Sequence, residues 1–154
     1  MVLRLGYTYL KSTHDAKDIC QDVLLKLLTC RTAFESKEHE RAWVVRVTIN
    51  TCKNWLASSA RARTTSLDQA AEAAAPETDA GVDSAVLAAV NELPESQREA
   101  VYLHYYEGYK IAEIAALTGR SEDAVAKNLS RARHRLRTML EGDDDGFQVH
   151  RHVG

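Results

Sequence analysis

The sequence predicts an all-α protein built as two small helical domains joined by a flexible acidic linker, the C-terminal domain a helix-turn-helix. Three observations carry this. Apolar residues recur at three- and four-residue spacing on both sides of an alanine-rich stretch, the signature of helices with one buried face. The stretch itself, 64–81, repeats no bulky apolar side chain at a core-forming interval. Ahead of the last periodic segment, Thr118-Gly119-Arg120 supplies a tight turn and Ser121 a helix cap.

In chain order, the first strong helix is expected from about 14 to 29. Ala16, Ile19, Cys20, Val23, Leu24, Leu27 and Leu28 form its inward stripe, while Asp15, Asp18, Gln21, Asp22 and Lys26 lie opposite. A loop at 31–36 leads to a second helix, about 38–61, with Ala42, Trp43, Val44, Val47, Thr51, Cys52 and Trp55 inward. Arg46, Asn50 and Lys53 fall at i, i+4 and i+7 and share its exposed face. The linker follows; at ~3.3 to 3.6 Å per residue it can stretch to roughly 60 Å, nearly two turns of duplex at ~34 to 36 Å each. Beyond it, helices are expected at about 83–92 and 95–107, with Leu93-Pro94 as the break and Glu95 in the first turn. A third runs over about 110–117 with Ile111, Ile114 and Ala115 inward. The last places Val125, Leu129, Ala132, Leu136 and Leu140 on a narrow apolar stripe and leaves Lys127, Ser130, Arg131, His134 and Arg137 outward. These boundaries give domains at 1–63 and 83–140, a linker at 64–82 and an acidic, disordered tail at 141–154.

The net charge of −2 conceals a strong segregation. From Arg41 to Arg63 every charge is basic, and from Thr64 to Gln97 every charge is acidic. Basic charge returns at Lys127, Arg131, Arg133, Arg135 and Arg137 before an acidic tail with Glu141, Asp143, Asp144 and Asp145. Two cationic surfaces joined by an anionic linker suit the gripping of one polyanion at two places. With 45% hydrophobic and 27% charged residues and no long apolar run, the chain reads as soluble, with no membrane span. Its first residues lack a secretory signal, which points to a cytosolic chain. Cys20, Cys30 and Cys52 are odd in number and form no CxxC pair, which fits reduced thiols.

A helix in the major groove needs an apolar back, a slim front near the base edges and cations for phosphates. Ala126, Lys127, Ser130 and Arg131 supply the front, and Arg133 and Arg137 are placed for the backbone. The bland alternative is a solvated basic helix end that complements the dipole. On the second helix, Arg46, Asn50 and Lys53 with neighbouring Asn54 combine charge with amides able to address bases, or form an ordinary wet face. Trp43 is placed with the core rather than as a stacking platform. Asp18, Gln21, Asp22 and Lys26 are either a docking surface or plain solvated polarity. There is no phosphate loop, HExxH, GxSxG or cluster with metal-ligand spacing, so neither catalysis nor a metal or cofactor is expected. Asp15 after His14 is accounted for by helix capping.

The segment 14–28, HDAKDICQDVLLKLL, resembles the D-A-E-D-hydrophobic-x-Q-E/D signature of the extracytoplasmic-function (ECF) group of sigma-70-type sigma factors. The segment 41–50, RAWVVRVTIN, resembles that family's AWL-x-R-I-A-x-N helix; together these would be region 2. Leu93-Pro-Glu-Ser-Gln-Arg98, then 111–119, IAEIAALTG, and 125–137, VAKNLSRARHRLR, are similar to region 4. The resemblance implies that Asp18, Gln21, Asp22 and Lys26 face the clamp helices of RNA polymerase core enzyme. It implies that Arg46, Asn50, Lys53 and Asn54 lie against the minus-10 element of promoter DNA, with the 31–36 loop beside an unstacked base. Lys127, Ser130 and Arg131 would read the minus-35 element, with Tyr109, Lys110 and Arg133 near its backbone. An anti-sigma factor joins the polymerase and promoter DNA as a candidate partner. The family usually has more of a first helix ahead of 3–10, so region 2 would be N-terminally shortened, and after Asn50 the segment 52–59 is poorer in charge than the family's arginine run. The alternatives are a helix-turn-helix regulator that does not bind core polymerase, and a helical interaction module that binds no nucleic acid.

Overall fold

The computed structural model describes residues 1–63 and 84–142, and every regular element among them is helical. The N-terminal group is α1 (Val2–Leu10), α2 (Thr13–Thr29) and α3 (Lys37–Arg63), all packed on one another. The C-terminal group is α4 (Ser84–Asn91), α5 (Glu95–Val101), α6 (Ile111–Thr118) and α7 (Glu122–Gly142), with α4, α5 and α6 all resting on α7. The linker expected at 64–82 and nearly all of the expected tail lie outside the described residues; α7 takes in 141–142, the first two residues assigned to the tail.

α1 is not among the helices that the residue pattern predicts; only the family resemblance, which puts 3–10 at the end of a first helix, implies it. It forms because Leu5 and Tyr9, one turn apart, are both buried, and it stops at Lys11, whose left-handed backbone (φ 52°) lets its N–H donate to the Tyr7 carbonyl. Gly6 faces Ala16 of α2, where a Cβ would stand 3.5 Å away in ordinary van der Waals contact. Ser12, rather than Asp15, caps α2, its hydroxyl accepting the Asp15 N–H at 3.3 Å.

Ala16, Ile19 and Val23 bury one face of α2, and Val44, Val45, Thr48, Ile49, Thr51 and Cys52 bury that of α3. The hydroxyls of Thr48 and Thr51 donate back to Val44 and Val47 at 2.7 Å, so neither is left unpaired. Leu24 and Leu28, expected inward, are 48% and 80% exposed. The three cysteines are free thiols; Cys52 is buried, and burial first, then the nearby Glu95 charge, pushes its thiol up to about 12.

α5 starts at Pro94 and changes to a π-type turn at Tyr102–Tyr106, where a straight helix to 107 was expected. The wider turn ends at Gly108 (φ 78°), and the Tyr109 N–H reaches back to the Leu103 carbonyl at 2.9 Å. The apolar cores of the two groups meet. Leu5, Tyr9, Ile19, Val23, Val45 and Ile49 belong to the same buried cluster as Leu103, Ile114, Val125 and Leu129. The joints are α1 against α5 and α3 against α6.

Candidate nucleic-acid interface

The helix-turn-helix is set by local chemistry. α6 ends at Gly119, whose left-handed φ of 71° only glycine adopts without strain, and its N–H caps on the Ala115 carbonyl. The Ser121 hydroxyl then accepts the Ala124 N–H at 3.1 Å and starts α7. Val125, Leu129 and Ala132 are buried, as the stripe predicted, which turns Lys127, Ser130 and Arg131 to solvent with Ala126 half-buried beside them. Lys127 and Arg131 share a shallow polar concavity with Arg120, Ser121, Asn128 and Ser96. Arg137 is exposed; Arg133 is exposed too, but donates to the Tyr105 hydroxyl at 2.9 Å. Lys110 is exposed at the start of α6. Tyr109 stands apart from this set. Its half-buried ring lies 5.5 Å from the Arg41 guanidinium of α3, and its hydroxyl is buried without a hydrogen-bond partner.

On α3, Arg46, Asn50 and Asn54 recur every four residues on the solvent side. Lys53 is half-buried and lies within the electrostatic reach of Glu99 on α5. Burial raises the Glu99 carboxyl above its ordinary 4.5, against the pull of Lys53, Tyr9 and Arg120. In the 31–36 loop, Phe34 packs edge-on to Trp43 at 5.6 Å and to His39 at 5.5 Å.

Asp18, Gln21, Asp22 and Lys26 are all exposed on α2. Lys26 is also a tie, donating to Thr51 of α3 at 3.0 Å. The period that groups 18, 21 and 22 continues to Leu25 and Leu28, which are 61% and 80% exposed. Helical spacing predicts Leu28 inward and assigns Leu25 to neither face, so the sequence reading leaves out this apolar extension of the acidic face. The signal was present: the inward stripe was already complete with Ala16, Ile19 and Val23. His14, Asp15 and Asp18 bring one possible metal-ligating atom each within 4.8 Å, on an exposed turn where one-turn spacing is explanation enough.

Two family descriptions match this chain in order: Sigma-70 region 2 over residues 1–62 and Sigma-70 region 4 over residues 83–136. It is 26% identical to the RNA polymerase sigma factor SigV of Bacillus subtilis, covering 92% of this chain and 85% of that one. To the ECF RNA polymerase sigma factor SigM of Mycobacterium tuberculosis it is 28% identical, covering 96% and 76%. The chain belongs to the ECF sigma factors of the sigma-70 family. Among solved structures, the sigma factor RpoE of Bartonella quintana, in complex with the anti-sigma factor NepR, shares the fold of this sigma factor. The TM-score is 0.74, the identity 24%, and the match covers 92% of this chain and 91% of that one. Regions 2 and 4 thus correspond to α1–α3 and α4–α7, and the α6–turn–α7 unit is the helix-turn-helix of region 4.

Proposed function

We propose that this ECF sigma factor directs RNA polymerase core enzyme to promoters with two separated elements and assists strand opening there, with no chemistry of its own. It acts in the cytoplasm and needs neither metal nor cofactor. Residues 1–63 and 83–140 are its working units, and 64–82 is the tether between them.

The reading rests above all on one observation: the exposed front of α7, Lys127, Ser130 and Arg131, is backed by a buried stripe behind a capped turn. In this reading these residues and Ala126 face the minus-35 bases, and Tyr109, Lys110, Arg133 and Arg137 its phosphates. Arg46, Asn50, Lys53 and Asn54 lie along the minus-10 element. The 31–36 loop holds an extruded base, whose unstacking costs a few kcal/mol, offset by the loop and by polymerase contacts.

The acidic and apolar face of α2, with Asp18, Gln21, Asp22, Lys26, Leu25 and Leu28, docks on core polymerase. Support comes from its composition, since exposed leucines rimmed by polar groups mark protein interaction sites. An anti-sigma factor is a candidate partner, as RpoE has in its complex. Competition decides: purified chain is expected to displace another sigma factor from core enzyme. A chain that binds DNA yet leaves the resident sigma in place would be a simple helix-turn-helix regulator.

A further inference from the structure

Arg120, a residue that the sequence places only in the tight turn between α6 and α7, pairs with the Glu99 carboxylate of α5 at 3.5 Å. The two ends of this pair stand in different surroundings: the Glu99 side chain is 2% exposed and that of Arg120 34%. Glu99 is also held from its other side, where the charge of Lys53 on α3 acts on it and the Tyr9 hydroxyl of α1 donates to it. A carboxylate taken out of water needs partners, so neutralising Glu99 would by itself account for an arginine at 120. That explanation leaves out where Arg120 stands. It lines the polar concavity at the start of α7 with Lys127 and Arg131, the two cations assigned above to the minus-35 element, and with Ser96 and Ser121. Asp123 is the one acidic residue of that lining. Three cations against one acid, beside the N-terminus of a 21-residue helix, make a surface suited to phosphate.

A solvated arginine samples many rotamers, and fixing the one that a ligand needs costs side-chain entropy. Glu99 removes much of that cost, because it holds one nitrogen of the planar fork from inside while a guanidinium has further donors to offer on the concave side. We propose that Arg120 is a further DNA-phosphate ligand at the head of α7 and that Glu99 is its positioning residue, fixing the guanidinium from the side away from DNA. This deepens the minus-35 reading and rests on it.

Fluorescence anisotropy of the full chain tests both parts, on a duplex selected from a random pool by the wild-type chain and over a range of about 50 to 200 mM salt. Arg120→Gln is expected to weaken binding by about five-fold and to reduce the slope of log K against log salt by about 0.9, the share of one phosphate. Glu99→Gln keeps side-chain length and removes a negative charge from beneath the site. Bare electrostatics would then tighten binding; the positioning role predicts weakening, by about three-fold, which disappears once Arg120 is already glutamine, a coupling read by the double-mutant cycle. Thermal melts by circular dichroism accompany each variant. Should Glu99→Gln fail to fold, Arg120→Lys decides in its place: the salt slope is kept, while a single nitrogen loses the fork that grips Glu99, so affinity falls, and a lysine chain as tight as wild type would overturn the positioning role. So would Glu99→Gln that tightens binding, or that weakens it equally with and without Arg120. A slope unchanged by Arg120→Gln but lowered by Lys127→Gln would overturn the Arg120 assignment and leave the minus-35 reading standing. A wild-type chain that selects no duplex would sink that reading itself, and this assignment with it.

Discussion

Replacing Leu25 and Leu28 together by alanine separates binding from folding more cleanly than any other change on α2. Both side chains are mostly in water in the free chain, 61% and 80% exposed, so their loss removes little of the core. Alanine is also the strongest helix former, so α2 itself is not weakened. Each substitution deletes three carbons, worth about 0.8 kcal/mol apiece when buried. Scaled by those exposures, full burial in a complex would be worth roughly 1.5 kcal/mol at Leu25 and 1.9 kcal/mol at Leu28. Incomplete coverage brings the expected loss to about 2 to 3 kcal/mol, or roughly 30- to 200-fold in core affinity. The assay is equilibrium competition of purified chains for core enzyme, beside thermal melts followed by circular dichroism. An unchanged melt with weakened binding is expected; unchanged core affinity would remove α2 from the polymerase interface.

Arg131→Ala should leave core binding and stability intact, since the side chain is exposed, and weaken transcription from promoters with an intact minus-35 element by about 1 to 3 kcal/mol of base recognition, measured against promoters with that element scrambled. Ser121→Ala removes the cap of α7 and should lower stability by about 1 kcal/mol in urea titration, without a change in slope. Glu99 titrates above its ordinary 4.5 in the fold, so its protonated form is favoured there, and its contribution to stability is present below 4.5 and lost as pH rises through the raised value. Glu99→Gln should therefore flatten that part of the pH dependence of the urea midpoint; parallel curves for variant and wild type would show that burial of this carboxyl is not felt.

Much of the fold was legible because α2, α3, α6 and α7 carry apolar stripes at helical period, and because Gly119 and Ser121 punctuate the chain where the backbone needs them. α1 was not legible in the residue pattern. Leu3, Leu5, Tyr7 and Tyr9 alternate with Arg4, Gly6 and Thr8, a period of two, and only packing on α2, α3 and α5 makes a helix of this stretch. The burial of Arg98 and Glu99 was equally hidden, because a charged residue on a short helix gives no local sign that another helix will cover it. For the site, the fronts of α3 and α7 could be read as the complements of buried stripes. Leu25 and Leu28 were legible only indirectly, from the Ala16, Ile19 and Val23 stripe being complete without them, because the surface that would cover them belongs to another molecule in the proposed function. Tyr109, legible only through family resemblance, is held against Arg41, a contact between residues far apart in sequence that no spacing rule foretells.

Run-off transcription by purified core enzyme over a library of random promoter sequences, with and without this chain, tests the central claim most directly. Transcripts that depend on the chain and arise from templates enriched in two short motifs at a fixed separation are the predicted result. A core enzyme that starts no additional transcript in its presence would contradict the account.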